Sequence, residues 1–177
     1  MQYSHKKISG KSRIIYISLM LLGFFLTSVK LEGWSKVIFA TIGVFALVAG
    51  LFFIVRYELT EFSIVVNAKE KDFDFFINKV VGKRGAYDCY FHLSDAEDIV
   101  KLEKSTKKEL KEKYTKVFFH NYSHNLSSPD RYVILFKNDD QYEGVICELN
   151  DNMLTYLKNS IEMVKNLSKS PDTSDDD

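Results

Sequence analysis

The run Val37-Ile-Phe-Ala-Thr-Ile-Gly-Val-Phe-Ala-Leu-Val-Ala-Gly-Leu-Phe-Phe-Ile-Val55 carries no charged residue. At about 1.5 Å per residue it reaches close to the roughly 30 Å of a bilayer's hydrocarbon. A second uncharged run, Ile14–Val29, precedes it, and only Lys30–Lys36 separates the two. That first run is short for a span, so Arg13 and Lys30 must reach outward to the interfaces. A cleaved signal peptide requires a small-x-small site after the first run, and none stands before the second begins. A buried helical pair in a soluble core requires apolar surroundings that the rest of the chain does not offer. The reading is a transmembrane helical hairpin over residues 14–56, each span satisfying its own backbone.

Charge placement orients the hairpin. Lys6, Lys7, Lys11 and Arg13 precede it, Arg56, Lys69 and Lys71 follow it, and the connecting loop holds only Lys30 and Lys36 around Glu32. Basic residues concentrate on the cytoplasmic side, so both termini are expected there, in a two-span protein of the cell membrane. Tyr16, Trp34 and Tyr57 fall at the expected interfaces. Ala46-x-x-x-Gly50 is a small-xxx-small pattern that lets helices approach closely. Its expected partner is the first helix of the same chain; a second copy, giving a homo-oligomer through the second span, is the alternative. No ionisable residue lies inside either run, which argues against a proton relay or transport site.

The 177 residues carry a formal net charge of zero. A nucleic-acid binder would be strongly basic, so that class is set aside. Residues 1–13 read as a basic cytoplasmic N-terminus, 57–167 as one small cytoplasmic domain, and 168–177 as an acidic tail too poor in apolar residues to fold. The two cysteines, Cys89 and Cys147, sit in apolar runs and read as small core residues, reduced in the cytoplasm.

After Tyr57 the hydrophobic period changes to two. Phe62, Ile64 and Val66 alternate with polar residues over Glu61–Asn67, and Phe73, Phe75 and Ile77 do so over Asp72–Val81. Gly82-Lys83-Arg84-Gly85 is a tight-turn signal. A third strand, Ala86–Leu93, is predicted to point Tyr87, Cys89, Phe91 and Leu93 inward. Further strands are predicted at Ile99–Glu103, Val117–Tyr122, Tyr132–Lys137 and Tyr142–Leu149, with a short exposed helix over Ser105–Tyr114. Ser127-Ser-Pro-Asp and Asn138-Asp-Asp-Gln are the turns. The chain then forms a helix capped by Asn150 or Asp151, with Met153, Leu154, Leu157, Ile161 and Val164 on one stripe. Up to seven antiparallel strands followed by such a helix predict a curled barrel or sandwich with the helix plugging one mouth.

This order resembles the pleckstrin-homology-like fold. Tyr57-Glu-Leu-Thr-Glu-Phe-Ser-Ile-Val-Val resembles the opening of bacterial pleckstrin-homology-like (bPH) domains that follow a two-helix hairpin. Leu93-Ser-Asp-Ala-Glu-Asp-Ile-Val-Lys-Leu-Glu is similar to their entry into the fourth strand, and Glu148-Leu-Asn-Asp-Asn-Met-Leu-Thr-Tyr-Leu to their last strand and closing helix. The resemblance covers Tyr57 to Leu167, and Lys104–Lys116 departs from it as an insertion. It implies an α+β membrane protein whose domain binds lipids, peptides or other such domains, or simply scaffolds; no catalysis and no cofactor are expected of it. Some membrane proteins of this resemblance protect their cells against membrane-active peptides, which implies a setting in immunity or stress defence.

No constellation for catalysis emerges. There is no Gly-x-Ser-x-Gly elbow and no phosphate loop. Asp72 and Asp74 alternate onto the outer face of a strand, where solvated carboxylates are ordinary. His120 and His124 on one strand would stand about 13 Å apart, so they read as surface or turn residues and no metal site is expected. The basic groups remain. Lys83 and Arg84 crown one turn, and Lys107, Lys108 and Lys111 lie on the short helix among Glu103, Glu109 and Glu112. Beside an anionic leaflet each such cation contributes about 1 kcal/mol, so these five are the candidate sites for anionic lipid headgroups or a protein partner. The plainer reading is a solvated face with pairs such as Glu109–Lys113. A rival from another class is an effector whose barrel binds a cyclic nucleotide and whose hairpin then disrupts the membrane. It needs Tyr87, Tyr90, Tyr132, Arg84 and Arg131 gathered around one cavity.

Overall fold

The computed structural model of the chain describes residues 1–4, 10–30, 32–69, 72–125 and 128–167. Lys6, Lys7, Lys71, Ser127 and the acidic tail 168–177, all used in the sequence reading, lie outside them.

Both uncharged runs are helical, as α1 (Gly10–Ser28) and α2 (Gly33–Ile54). They pack antiparallel through small residues. A methyl group on Gly43 would come 3.0 Å from the Gly23 carbonyl oxygen and 2.8 Å from Thr27 Cγ2, so glycine is what permits the approach. Gly43, Ala46 and Gly50 are the buried face of α2, and that face meets Leu19, Met20, Gly23, Leu26 and Thr27 of α1. The outer surfaces of the pair are bare, with Phe25 66% and Phe45 71% exposed. Among the described helices, the one over Gly33–Leu59 is long and apolar enough to cross a membrane, and the apolar part of α1, Ser12–Ser28, is shorter.

Two four-stranded sheets follow. The first has β1 (Gln2–Ser4), β2 (Thr60–Lys69), β3 (Asp72–Val81) and β4 (Arg84–His92) in that order, all antiparallel. The second has β5 (Ala96–Lys101), β7 (Arg131–Asn138), β8 (Gln141–Glu148) and β6 (Val117–Asn121) in that order. The sheets do not close into a barrel. Leu93, fully buried in the tight turn after β4, is the corner where the chain passes from one sheet to the other. Phe62, Ile64, Val66, Phe75 and Ile77 of the first sheet meet Ile134, Phe136, Val145 and Cys147 of the second in one core. The closing helix α4 (Asp151–Leu167) adds Met153, Leu157 and Val164 to it, and Asn150 Oδ1 caps it by accepting from the Met153 amide at 2.8 Å.

Four features correct the sequence reading. The strand β1 joins the first sheet, with Tyr3 opposite Ile64, although three residues offer too little pattern to signal it. β6 runs parallel to β8, not antiparallel. The insertion Lys104–Lys116 is a crossover: it carries α3 (Thr106–Lys113) over the outer face of the second sheet and returns the chain in the direction it left. Leu110 anchors α3 there against Val133 and Ile146, so this helix is not wholly exposed. Finally, the register of β3 and β4 slips at Ile77/Asn78, where Cys89 and Tyr87 become successive partners and Asp88 is left as a bulge. One extra residue reverses the alternation, so Tyr87 points outward and is 78% exposed while Cys89 and Phe91 keep to the core side.

The bulge makes a direct test. Phe91 stacks on Phe136 with ring centroids 4.3 Å apart, so Phe91→Ala is expected to cost about 3 kcal/mol. Tyr87→Ala is expected to stay within about 0.5 kcal/mol. Pulse proteolysis of the full chain in detergent across a urea series measures both, and equal losses would restore the unbroken alternation.

Candidate functional site

The end of α2 passes into β2 with no linker. A single wide turn, Val55–Leu59, follows α2 and Thr60 already pairs with Val81. The Gly82 amide donates to the Leu59 carbonyl at 3.1 Å, and Gly82 takes φ +61°, a left-handed conformation that suits glycine. The β3–β4 turn that carries Lys83 and Arg84 is thereby bound to the exit of α2. Both side chains are exposed, and no ion pair engages either among the described residues. The start of α1 reaches the same level: Arg13 Nε lies 3.0 Å from Glu58 Oε1, and the Tyr16 hydroxyl lies 3.4 Å from the same atom.

Arg56 joins this exit to the second sheet. Its Nη2 donates to the carbonyls of Asn121 at 2.9 Å and Ser123 at 3.1 Å, and its guanidinium lies over the rings of Phe62 and Tyr57, 4.7 and 5.4 Å from their centroids. His124 clamps the same point from the loop after β6, its Nε2 lying 2.6 Å from the Phe62 carbonyl oxygen and 3.2 Å from the Phe62 amide nitrogen. Glu148 holds that loop down. It is 2% exposed, and its two oxygens accept from the Asn125 amide at 3.1 Å and from Asn125 Nδ2 at 3.0 Å. A buried carboxylate so engaged is a structural group.

The other three candidate cations stand elsewhere. Lys107, Lys108 and Lys111 project from α3 on the outer face of the second sheet. Lys107 and Lys111 lie over the Phe119 ring, 5.4 and 5.9 Å from its centroid, and Lys108 pairs with Glu112 at 3.7 Å. The structure therefore divides the five predicted residues into a pair beside the α2 exit and a trio committed largely to its own helix and strand. The nucleotide constellation is also dispersed. Arg84, Tyr87 and Tyr90 belong to β4, where the Tyr90 hydroxyl donates to Asp74 at 2.9 Å. Arg131 and Tyr132 belong to β7 in the other sheet, with Arg131 Nε donating to the Ser128 carbonyl at 3.2 Å and Tyr132 packed against the core.

The histidines have separate partners. His120 pairs with Glu143 at 3.0 Å, while His124 is buried against Phe62. No group of three or more metal-ligating side chains gathers among the described residues. Sequence reasoning missed Arg56 as more than a topology signal. Its place as the first charge after the longer uncharged run was the available clue.

A family model for a bacterial PH-like domain (DUF6106) matches residues 4–165. The chain belongs to that family, whose fold is that of an interaction module, and the match extends through both helices into residue 4 ahead of α1. Comparison with curated proteins and with solved structures finds no match.

Both cysteines are free thiols. Burial pushes the Cys89 thiol up from its ordinary 9.0 to about 12, and burial also raises that of Cys147. A raised thiol pKa favours folding while the thiol stays neutral. The Cys89 contribution is thus present below about pH 9 and is lost as pH climbs toward 12. Iodoacetamide at pH 7.5 is expected to label both cysteines slowly in the folded chain and quickly in urea. Fast labelling of the folded chain would contradict this placement.

Proposed function

We propose that this chain is a non-catalytic, membrane-anchored interaction module. Its two helices enter and leave the bilayer from the cytoplasmic side, and its PH-like domain docks on anionic lipid headgroups through Lys83 and Arg84. The observation that carries the reading is the pairing of β1 with β2. Residues before α1 and residues after α2 are neighbours in one sheet, Gln2 opposite Val65 and Ser4 opposite Ser63. A helical pair strung between two adjacent strands leaves the domain and returns to the same side. Its exposed surface is rich in Leu, Ile, Val and Phe, which water does not tolerate on this scale.

The domain then sits against the leaflet that α2 leaves. Lys83 and Arg84 are held at that level by the Gly82–Leu59 bond, next to headgroups where each cation contributes about 1 kcal/mol. The trio on α3 is a weaker contributor, because Glu112 offsets Lys108 and Phe119 engages the other two. The small-residue face of α2 is already filled by α1, so the reading favours one chain as the anchoring unit.

Hydrogen exchange of the full chain in nanodiscs tests the docking. With one third phosphatidylglycerol, amides of residues 82–86 are expected to exchange more slowly than in phosphatidylcholine alone. The difference should vanish in the Lys83→Ala, Arg84→Ala pair and shrink at 0.5 M salt, as screening requires. Identical exchange in both lipids would refute docking through this turn.

A further inference from the structure

A cavity of about 300 Å³ lies at the junction of α2 with the domain, and it differs in character from the exposed turn beside it. Phe52 and Val55, from the end of α2 and the turn after it, and Val81 of β3 give it an apolar rim. Each of these three is more than a third exposed, so the rim is continuous with the bare outer surface of the helix. Arg56 and Lys79 supply cations to the lining. Arg56 is held in place by the Asn121 and Ser123 carbonyls, both bound by Nη2, while Nη1 is shut off from solvent and has no partner among the described residues. A guanidinium is a planar fork of donors matched to phosphate oxygens, and a buried donor without an acceptor is costly. Lys79 has only a loose contact, 4.0 Å to Asp88. Asp88 also lines the cavity, where the Tyr122 hydroxyl engages it, so the lining carries two cations against one carboxylate.

We infer that this cavity holds the headgroup phosphate of one phospholipid, with Arg56 and Lys79 on the phosphate and the acyl chains running out past Phe52, Val55 and Val81. The apolar rim selects a lipid over free phosphate, since a small anion makes no use of it. The inference rests on the membrane anchoring proposed above but not on docking through Lys83 and Arg84. Phosphate is common to zwitterionic and anionic phospholipids, so this site takes both.

Native mass spectrometry of the full chain in detergent tests it, with phosphatidylethanolamine, phosphatidylglycerol and phosphate-free diacylglycerol added in turn. Each phospholipid is expected to bind one to one, and diacylglycerol at least tenfold more weakly. Lys79→Ala is expected to weaken phospholipid binding several-fold. Arg56→Lys, which keeps the charge and loses the fork, is expected to weaken it about tenfold. Millimolar inorganic phosphate should not displace the lipid. Equal binding of diacylglycerol, parent-like binding by Lys79→Ala, or displacement by inorganic phosphate would each overturn the inference. The Lys83→Ala, Arg84→Ala pair should keep its bound phospholipid even if leaflet docking is lost. Loss of that lipid in the pair would place the phosphate at the turn and sink the cavity site.

Discussion

The antiparallel pairing of Gln2–Ser4 with Ser63–Val65 is the constraint on which the rest of the arrangement depends. Each net backbone hydrogen bond contributes only about 1 kcal/mol, so three residues would not hold by pairing alone. Tyr3 adds packing against the shared core, and the Val66 amide donates to the Met1 carbonyl at 2.8 Å. With both ends of the helical pair fixed in one sheet, α1 and α2 must run out and back. The Arg13–Glu58 contact fastens their near ends together, and the glycine faces of Gly23 and Gly43 let them lie against each other.

The second joint is at Phe62. Arg56 from the α2 exit and His124 from the loop after β6 both close on this residue, so helix, first sheet and second sheet meet at one side chain. Thr60 begins pairing directly after the turn. The α2 exit is thus built into the domain rather than joined to it by a spacer. Motion of the helix pair would be felt at the carbonyls of Asn121 and Ser123, so the helices and the second sheet are mechanically joined.

What could be read from the sequence was local. Phe62, Ile64 and Val66 repeat every two residues and Met153, Leu157 and Val164 at helical spacing, and each pattern reports burial without reference to the rest of the chain. The Gly82-Lys-Arg-Gly turn was equally plain. Features that depend on distant partners were not. The bulge at Asp88 is set by how β4 meets β3, the parallel placement of β6 by where α3 carries the chain, and β1 by a strand some sixty residues away. The candidate site followed the same division. Lys83 and Arg84 were visible as turn cations, but their level beside Leu59 is a matter of register, and Arg56 acquires its role only from carbonyls on β6 and the loop beyond it.

The hairpin itself is tested most directly at its far loop, using Ser35→Cys in a chain without Cys89 and Cys147. Intact cells are treated with a maleimide that does not cross membranes, and then permeabilised cells are treated in the same way. Two spans with both ends at the cytoplasm require labelling of residue 35 in intact cells. Labelling that appears only after permeabilisation would contradict the account.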